Sequence, residues 1–343
     1  MSGREKPLIL QNGMPIPQAY DKDLGDWTEY STEHIKAIKA ELALVKAELQ
    51  TIKANQLSGD QKVQLSGAIA ELQTDLLATI AYNTGMGGIK VSSWSNVQHI
   101  VRAGLADKVF SVGDQFVAEF DGSPVVWDII GIDHDKPTDP RFTHSLTIQS
   151  HDCLLNAPFD ASEPDNPDSN RQQYGNNRYL HSAIRQWLNS AETTFTWQPQ
   201  HQYDAAPTGA PYNGPGFLKL LDPDLVAVLG AVDKQVARTT VDGGGQDLFS
   251  DKVFLLSVVE IYGESGGTSG EAPYPYYESM APSPTTTALD GRIKYLDSSA
   301  RSWWLRSPTP DDAFNLRLVS ADGRVGTNAA LYLLSVAPAV VII

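Results

Sequence analysis

Seven histidines, one cysteine and several close-set carboxylates are the groups of this 343-residue chain that could do chemistry. The densest set is Asp160-Ala161-Ser162-Glu163-Pro164-Asp165-Asn166-Pro167-Asp168, which offers several oxygens in a short span, the ligand type calcium takes. Its spacing does not follow an EF-hand loop, and the expectation is a plain solvated loop. The histidines, at 34, 99, 134, 144, 151, 181 and 201, form no zinc-type motif. His134-Asp135 and His151-Asp152 come closest to an acid–base pair, but no Gly-X-Ser-X-Gly elbow accompanies them. Each histidine is therefore expected to be internally satisfied or exposed. Asp311 and Asp312 are adjacent, whereas glycoside hydrolysis needs two carboxyls facing each other across a cleft. Asp242-Gly243-Gly244-Gly245-Gln246 lacks the Gly-Lys-Ser or Gly-Lys-Thr of a phosphate loop and reads as a turn before a strand over 253–261. No catalytic residue, metal or cofactor is expected.

Composition narrows the partners. The chain is 41% hydrophobic, enough for one large or two modest cores. Its formal charge of −15 and pI near 4.8 argue against a basic surface for nucleic acid or anionic membrane. A single cysteine, Cys153, rules out an intramolecular disulfide, a multi-thiolate zinc site and a two-cysteine redox pair. The opening residues carry no apolar run of signal-peptide length, and no later stretch approaches the roughly 20 apolar residues of a membrane span. The expectation is synthesis in the cytoplasm without a signal peptide and no membrane insertion.

The elements that must position any site fall into four zones. Residues 1–30 mix Pro, Gly and charge without period and read as an extended attachment arm. From Ser31, Ile35, Ile38, Leu42, Val45, Leu49 and Ile52 alternate at spacings of three and four, so 31–82 reads as a helical coiled-coil stalk. Leu at a and β-branched residues at d favour a homotrimer; the alternative is an amphipathic helix lying on its own domain. The glycine-rich stretch 83–88 reads as a hinge. Residues 89–343 shift to Trp, Tyr, Pro and Gly with short apolar runs, the pattern of a mixed α+β head. Helices are expected over 179–189 and 222–229, and surface loops over 160–173 and 264–290. Trp303 and Trp304 are expected in the core.

Ser302-Trp303-Trp304-Leu305-Arg306-Ser307-Pro308, then Val319-Ser320-Ala321-Asp322-Gly323-Arg324-Val325, then Val336-Ala337-Pro338-Ala339-Val340-Val341-Ile342, resemble an uncharacterised domain family with a Trp-Trp-Leu-Arg-Ser-Pro signature. The similarity reaches upstream through Trp94, Val112-Gly113-Asp114, 182–189, 216–218 and 251–257, covering nearly all of 89–343. Where that family has Gly-Val-Arg-Pro-Ala, this chain has Ser335-Val336-Ala337-Pro338-Ala339 and so loses an arginine expected in a buried ion pair; either the partner carboxylate is missing too or the local packing is changed. The resemblance implies a C-type-lectin-like fold, of the kind found in variable proteins of diversity-generating retroelements and in phage tail receptor-binding proteins. Glu163-Pro164-Asp165-Asn166 is similar to the Glu-Pro-Asn element of sugar-binding members of that fold class, but its Trp-Asn-Asp companion is missing. Formylglycine-generating enzymes share the fold class, and the cysteine pair they use is absent here.

The resemblance implies a C-terminal ligand-binding face made by Thr309, Asp311, Asp312, Phe314, Asn315 and Arg317 on one loop and Thr327, Asn328, Ala330, Tyr332 and Leu333 on another. Aromatic anchors among short polar side chains suit surface recognition; the bland reading makes Leu316, Leu318, Val319, Leu331, Leu333 and Leu334 core strand positions. The function expected is a non-enzymatic adhesin or phage tail fibre, displayed on a virion or cell-surface assembly. It would bind a host cell-surface protein or glycan, form homotrimers and attach to a tail or carrier protein through its arm. The alternatives are a structural virion or assembly protein and a glycan-processing hydrolase.

Overall fold

The computed structural model describes residues 93–263, 270–278 and 290–343, together with 43–47 and the backbone of 10–11, 14–15, 18–21 and 26–29. The chain divides into two compact units, Met1–Ile89 and Lys90–Ile343. In the first, Leu10–Gln11 pairs with Met14–Pro15 and Gln18–Asp21 with Asp26–Glu29, both antiparallel, and residues 43–47 are helical. The rest of the heptad seam and the stretch 83–88 lie outside the described residues.

The second unit is α+β and mostly strand. Ser93 accepts a hydrogen bond from Asn96 N and opens helix α1 (Trp94–Arg102), which buries Trp94, Val97, Ile100 and Val101 on one stripe. A short α2 (Ala106–Val109) follows. In β1 (Gln115–Phe120), Phe116, Ala118 and Phe120 point inward and alternate with exposed residues, the pattern of a strand covered on one face. Then come β2 (Ser123–Ile132), β3 (Leu146–Ser150), β4 (Leu155–Pro158), α3 (Ser169–Tyr174), α4 (Ala183–Leu188), α5 (Phe217–Leu220) and α6 (Pro223–Val228). Next are β5 (Val232–Ala237), β6 (Gln246–Asp251), β7 (Val253–Phe254), α7 (Val258–Tyr262), α8 (Pro275–Glu278), β8 (Lys294–Leu296) and β9 (Ser299–Arg301). The chain ends with β10 (Trp303–Pro308), β11 (Asn315–Val319), β12 (Val325–Ala329), β13 (Leu333–Val336) and β14 (Ala339–Ile342).

These strands make two five-stranded sheets. The first has the order β7-β14-β3-β2-β1, antiparallel throughout; the second has the order β12-β11-β10-β13-β4, with β10 and β13 parallel. Strands β3, β10 and β14 are buried at every residue, as strands covered on both faces must be. Trp303 and Trp304 are both fully buried on opposite faces of β10, their indole N–H groups donating to Arg292 O (3.1 Å) and Ala157 O (3.0 Å).

Two expectations are corrected. The apolar run 253–261 is not one strand: after β7, Ser257 caps α7 in a reciprocal capping box with Glu260, a Ser-x-x-Glu signal that overrides the β-branched composition. Nor are 160–173 and 264–290 only surface loops. The first contains the start of α3 and buries Asp160, Glu163 and Asn166; the described part of the second places Tyr274 and Tyr277 in the core.

Arg306, 0% exposed, replaces a solvent shell with protein oxygens. Its guanidinium donates to both Glu260 carboxylate oxygens (2.6 and 2.8 Å), to Leu255 O (2.7 Å) and to Glu271. Lys234 Nζ donates to the same Glu260 carboxylate (2.8 Å), to Tyr274 Oη (2.9 Å) and to Asp135. Burial would raise the Glu260 carboxyl, but Arg306 and Lys234 hold it far below the usual carboxylate range. Removing one partner of such a pair strands a buried charge. Arg306→Leu is therefore expected to cost about 3–5 kcal/mol in urea unfolding, whereas Arg324→Ala, which breaks the exposed, solvent-screened pair with Asp322, is expected to leave the urea midpoint unchanged.

Candidate functional site

The loop leaving β10 and the turn joining β12 to β13 meet through their backbones before any side chain is considered. Ala330 N donates to Phe314 O (2.9 Å), and Ala330 O accepts from Phe159 N (2.8 Å) and Asp160 N (3.1 Å). Leu331 N donates to Tyr174 O (2.9 Å), which ties in the end of α3. Gly175 closes that helix at φ +82°, where a Cβ would meet Ala161 O at 2.8 Å, so the segment folds tightly on itself.

The 309–314 loop is braced from within. Thr309 donates through N (2.9 Å) and Oγ1 (2.7 Å) to Asn315 O. Asp312 Oδ1 accepts from Phe314 N (3.0 Å) and Asn315 N (2.6 Å), and its Oδ2 accepts from Asn315 Nδ2 (3.0 Å). Asn177 Nδ2 donates to Asp312 O (3.0 Å) and Asn315 O (2.9 Å) from behind. The segment carrying Asn177 is itself pinned to the β5–β6 hairpin by the bidentate pairs Arg178–Asp247 and Arg185–Asp251 and by Arg171 Nη2, which donates to both Asp242 carboxylate oxygens, every bond at 2.8 Å.

What is left to face outward is a defined set. Tyr332 (52% exposed), Leu333 (61%) and Leu331 (41%) form a consecutive apolar step, and beside them Phe314 stacks on Tyr174 with ring centroids 5.1 Å apart. Asp311 is exposed. Arg317 and the exposed Thr327 are cross-strand partners on β11 and β12. Asn328 opposes the buried Leu316, and its Oδ1 accepts from Ala329 N (2.9 Å). Ala330 is fully buried, so its side chain adds nothing to the face. Leu316, Leu318 and Val319 are core residues, Leu334 is half-buried, and Leu331 and Leu333 stand out of the core. Sequence reasoning missed Tyr174, which lies in a polar stretch whose only helical mark is the Asp168 cap.

The sequence-marked titratable groups go elsewhere. His134 stacks on Tyr274 (4.1 Å), and Asp135 belongs to the Lys234 network. His151 pairs with Asp128 (2.8 Å) rather than Asp152, which accepts from Tyr295 N. Burial raises the Cys153 thiol to about 11, so it is not a nucleophile at neutral pH. The acidic loop is solvated only in part: Asp165 is exposed, whereas Asp160, Glu163 and Asn166 are buried. Glu163, 1% exposed, faces His201 Nε2 at 3.0 Å, and Asp204 faces the same nitrogen at 2.7 Å. Asp204 and then Glu163 lift His201 to about 9. Of this cluster the sequence marks Glu163 within the acidic loop, while His201 and Asp204 carry no motif that links them to it.

A family model matches residues 147–342, from β3 to the end of β14, and its description is a domain of unknown function (DUF6273). The chain belongs to this family. The matched span takes in both turns of the outward face, the buried Trp303-Trp304 pair and the Arg306–Glu260 pair. Nothing among the curated proteins or the solved structures matches the chain. No helix among the described residues is long and apolar enough to cross a membrane.

His151 gives a pH test. Its hydrogen bond to Asp128 raises the imidazole above 6.5 against the effect of burial. On Asp128, burial pulls upward, but the His151 bond, Lys294 and Gln115 hold it below 3.8. A raised histidine stabilises the fold fully below its unfolded value and loses that contribution as pH climbs through the folded value; a lowered aspartate contributes above its unfolded value. The pair should therefore be strongest between about pH 4 and 6.5. NMR titration should place His151 above 6.5, and Asp128→Asn should return it towards that value.

Proposed function

We propose that this chain is a non-enzymatic ligand-binding protein whose C-terminal face recognises a host cell-surface protein or glycan. The observation that carries the reading is the exposed Leu331-Tyr332-Leu333 step beside the Tyr174–Phe314 stack, set on loops whose polar groups are consumed internally. Exposed aromatic and apolar side chains on a pre-braced backbone lose little entropy on binding, which is how a small patch gains affinity. Arg317, Thr327 and Asp311 supply a polar rim.

The Trp-Trp-Leu-Arg-Ser-Pro signature supports a C-type-lectin-like head of the kind that retroelements diversify. The heptad seam over 31–82 supports a homotrimeric stalk, and residues 1–30 an attachment arm for a tail or carrier protein, as in a phage tail fibre on a virion. Three heads on one stalk gain avidity through effective concentration, so each needs only modest affinity.

Tyr332→Ser with Leu333→Ser is the direct test, read on a glycan array and on whole host cells with mass photometry in parallel. The double variant should keep its melting temperature and oligomeric mass and lose at least tenfold in binding. Unchanged binding overturns the face, and a fall in oligomeric mass instead makes it a subunit contact and favours the structural-protein reading. Sequencing natural variants gives a second check. Substitutions should gather at Asp311, Thr327, Tyr332 and Leu333, and spare Asp312 and Ala330, whose atoms hold the loops together.

A further inference from the structure

Beneath the outward face, the loop that starts at Asp160 closes over the 201–204 turn and sets two carboxylates, Glu163 and Asp204, against one imidazole. Glu163 Oε1 and Asp204 Oδ1 both point at His201 Nε2, at 3.0 and 2.7 Å, and one ligand atom from each of the three residues lies within 4.8 Å of the others. Neighbours fix these groups. Asn176 Nδ2 donates to the same Glu163 Oε1 (2.9 Å) and lies 3.2 Å from His201 Nε2, while Asn166 donates to Glu163 Oε2 and His201 N to Asp204 Oδ2 (3.2 Å). Amides that orient acidic ligands in this way are the usual outer shell of a metal centre. Among the described residues, the ion-pair partner of both Glu163 and Asp204 is His201 alone.

A second observation comes from Asp160. Its side chain is nearly sealed (4% exposed); Oδ1 accepts from Ala183 N (3.2 Å), and Oδ2 is buried without a hydrogen-bond partner among the described residues. The charges that bear on it are those of Asp204 and Glu163, both of its own sign. Burial beside two other acidic groups presses this carboxyl towards its neutral form, and a cation in the cluster would let it ionise.

We propose that Glu163, His201 and Asp204, with the Asp160 carboxyl beside them, form a site for one divalent transition-metal ion, zinc or manganese. A mixed nitrogen and oxygen donor set suits these ions, whereas calcium takes oxygen alone. His201, 21% exposed at its side chain, is the route of entry from solvent. Loading releases the Nε2 proton to solvent and leaves the ring neutral with its one proton on Nδ1, where Tyr203 N, 3.3 Å away, cannot also donate. The ion would clamp the 160–176 segment, whose end carries Tyr174. The inference does not depend on what the face above it recognises.

The test uses the full chain, stripped with chelator and dialysed, titrated calorimetrically with zinc chloride, manganese chloride or calcium chloride. The expected result is one equivalent of zinc or manganese bound, with a melting temperature several degrees above the stripped protein. Asp160→Asn and His201→Ala should each weaken that binding at least tenfold. Asp160→Asn should also melt no lower than wild type without metal, because an amide of the same shape replaces a carboxyl that burial and two acidic neighbours press towards its neutral form. Electron spin-echo modulation on the wild-type chain loaded with manganese should show a directly bound nitrogen, which tests the imidazole without any variant. No stoichiometric binding, binding unchanged in both variants, a response to calcium alone, or manganese without coupled nitrogen would each overturn the site.

Discussion

The bidentate contact of Arg306 with Glu260 is the constraint on which the head depends. Arg306 stands in the middle of β10, the centre of the second sheet, and Glu260 is the third residue of α7, so one ion pair fixes a helix to a sheet. Through Lys234 the same carboxylate reaches β5 and Asp135, and Asp135 in turn accepts from Tyr274 (2.6 Å) and Thr147 on β3 of the first sheet. A core of hydrophobic residues alone would tolerate sliding between these elements. Charges that must all be matched do not, so the network sets their relative position at an energetic cost that packing elsewhere offsets.

That cost is visible in the unusual residue types the core accepts. Arg292, Lys234, Lys294 and Arg306 are all nearly or fully buried, and Lys294 is held by Ser150 O (2.6 Å) and His151 O (2.9 Å) while its charge lies 5.6 Å from the Trp303 ring. Long cations of this kind span between strands that side chains of ordinary length do not reach. Ala337 packs fully buried, and its carbonyl accepts a hydrogen bond from Gln149 Nε2 at 3.0 Å.

Much of this was legible in the chain before folding, but unevenly. The alternation at 115–120, the cap at Asp222 and the apolar face of 183–188 are local signals, and the local structure follows them. The adjacent indoles at 303 and 304 announce a strand buried on both faces. The run 253–261 misleads because β-branched residues weigh towards strand while Ser257 and Glu260 together close a capping box; the pair outweighs the composition. The acidic loop misleads for a different reason. Carboxylates read as solvated unless their counter-charges are known, and His201 lies 38 residues beyond Glu163, so burial of that loop is a tertiary fact with no local mark. Tyr174 is hidden in the same way, since its partner Phe314 is 140 residues downstream.

The outward face shows why a rigid frame and replaceable side chains are compatible. Its loops are held by backbone atoms of Phe314, Ala330, Leu331 and Asn315, by the Asp312 carboxylate and by Asn177 from a separate element. None of these bonds involves the side chain of Asp311, Thr327, Tyr332 or Leu333. A substitution at those four therefore alters what is displayed without altering what holds the display. In most loops the two jobs are mixed, and each change of surface costs stability. Here they fall on different atoms, and the burial of Ala330 beside the exposure of Tyr332 marks the boundary between them to within two residues.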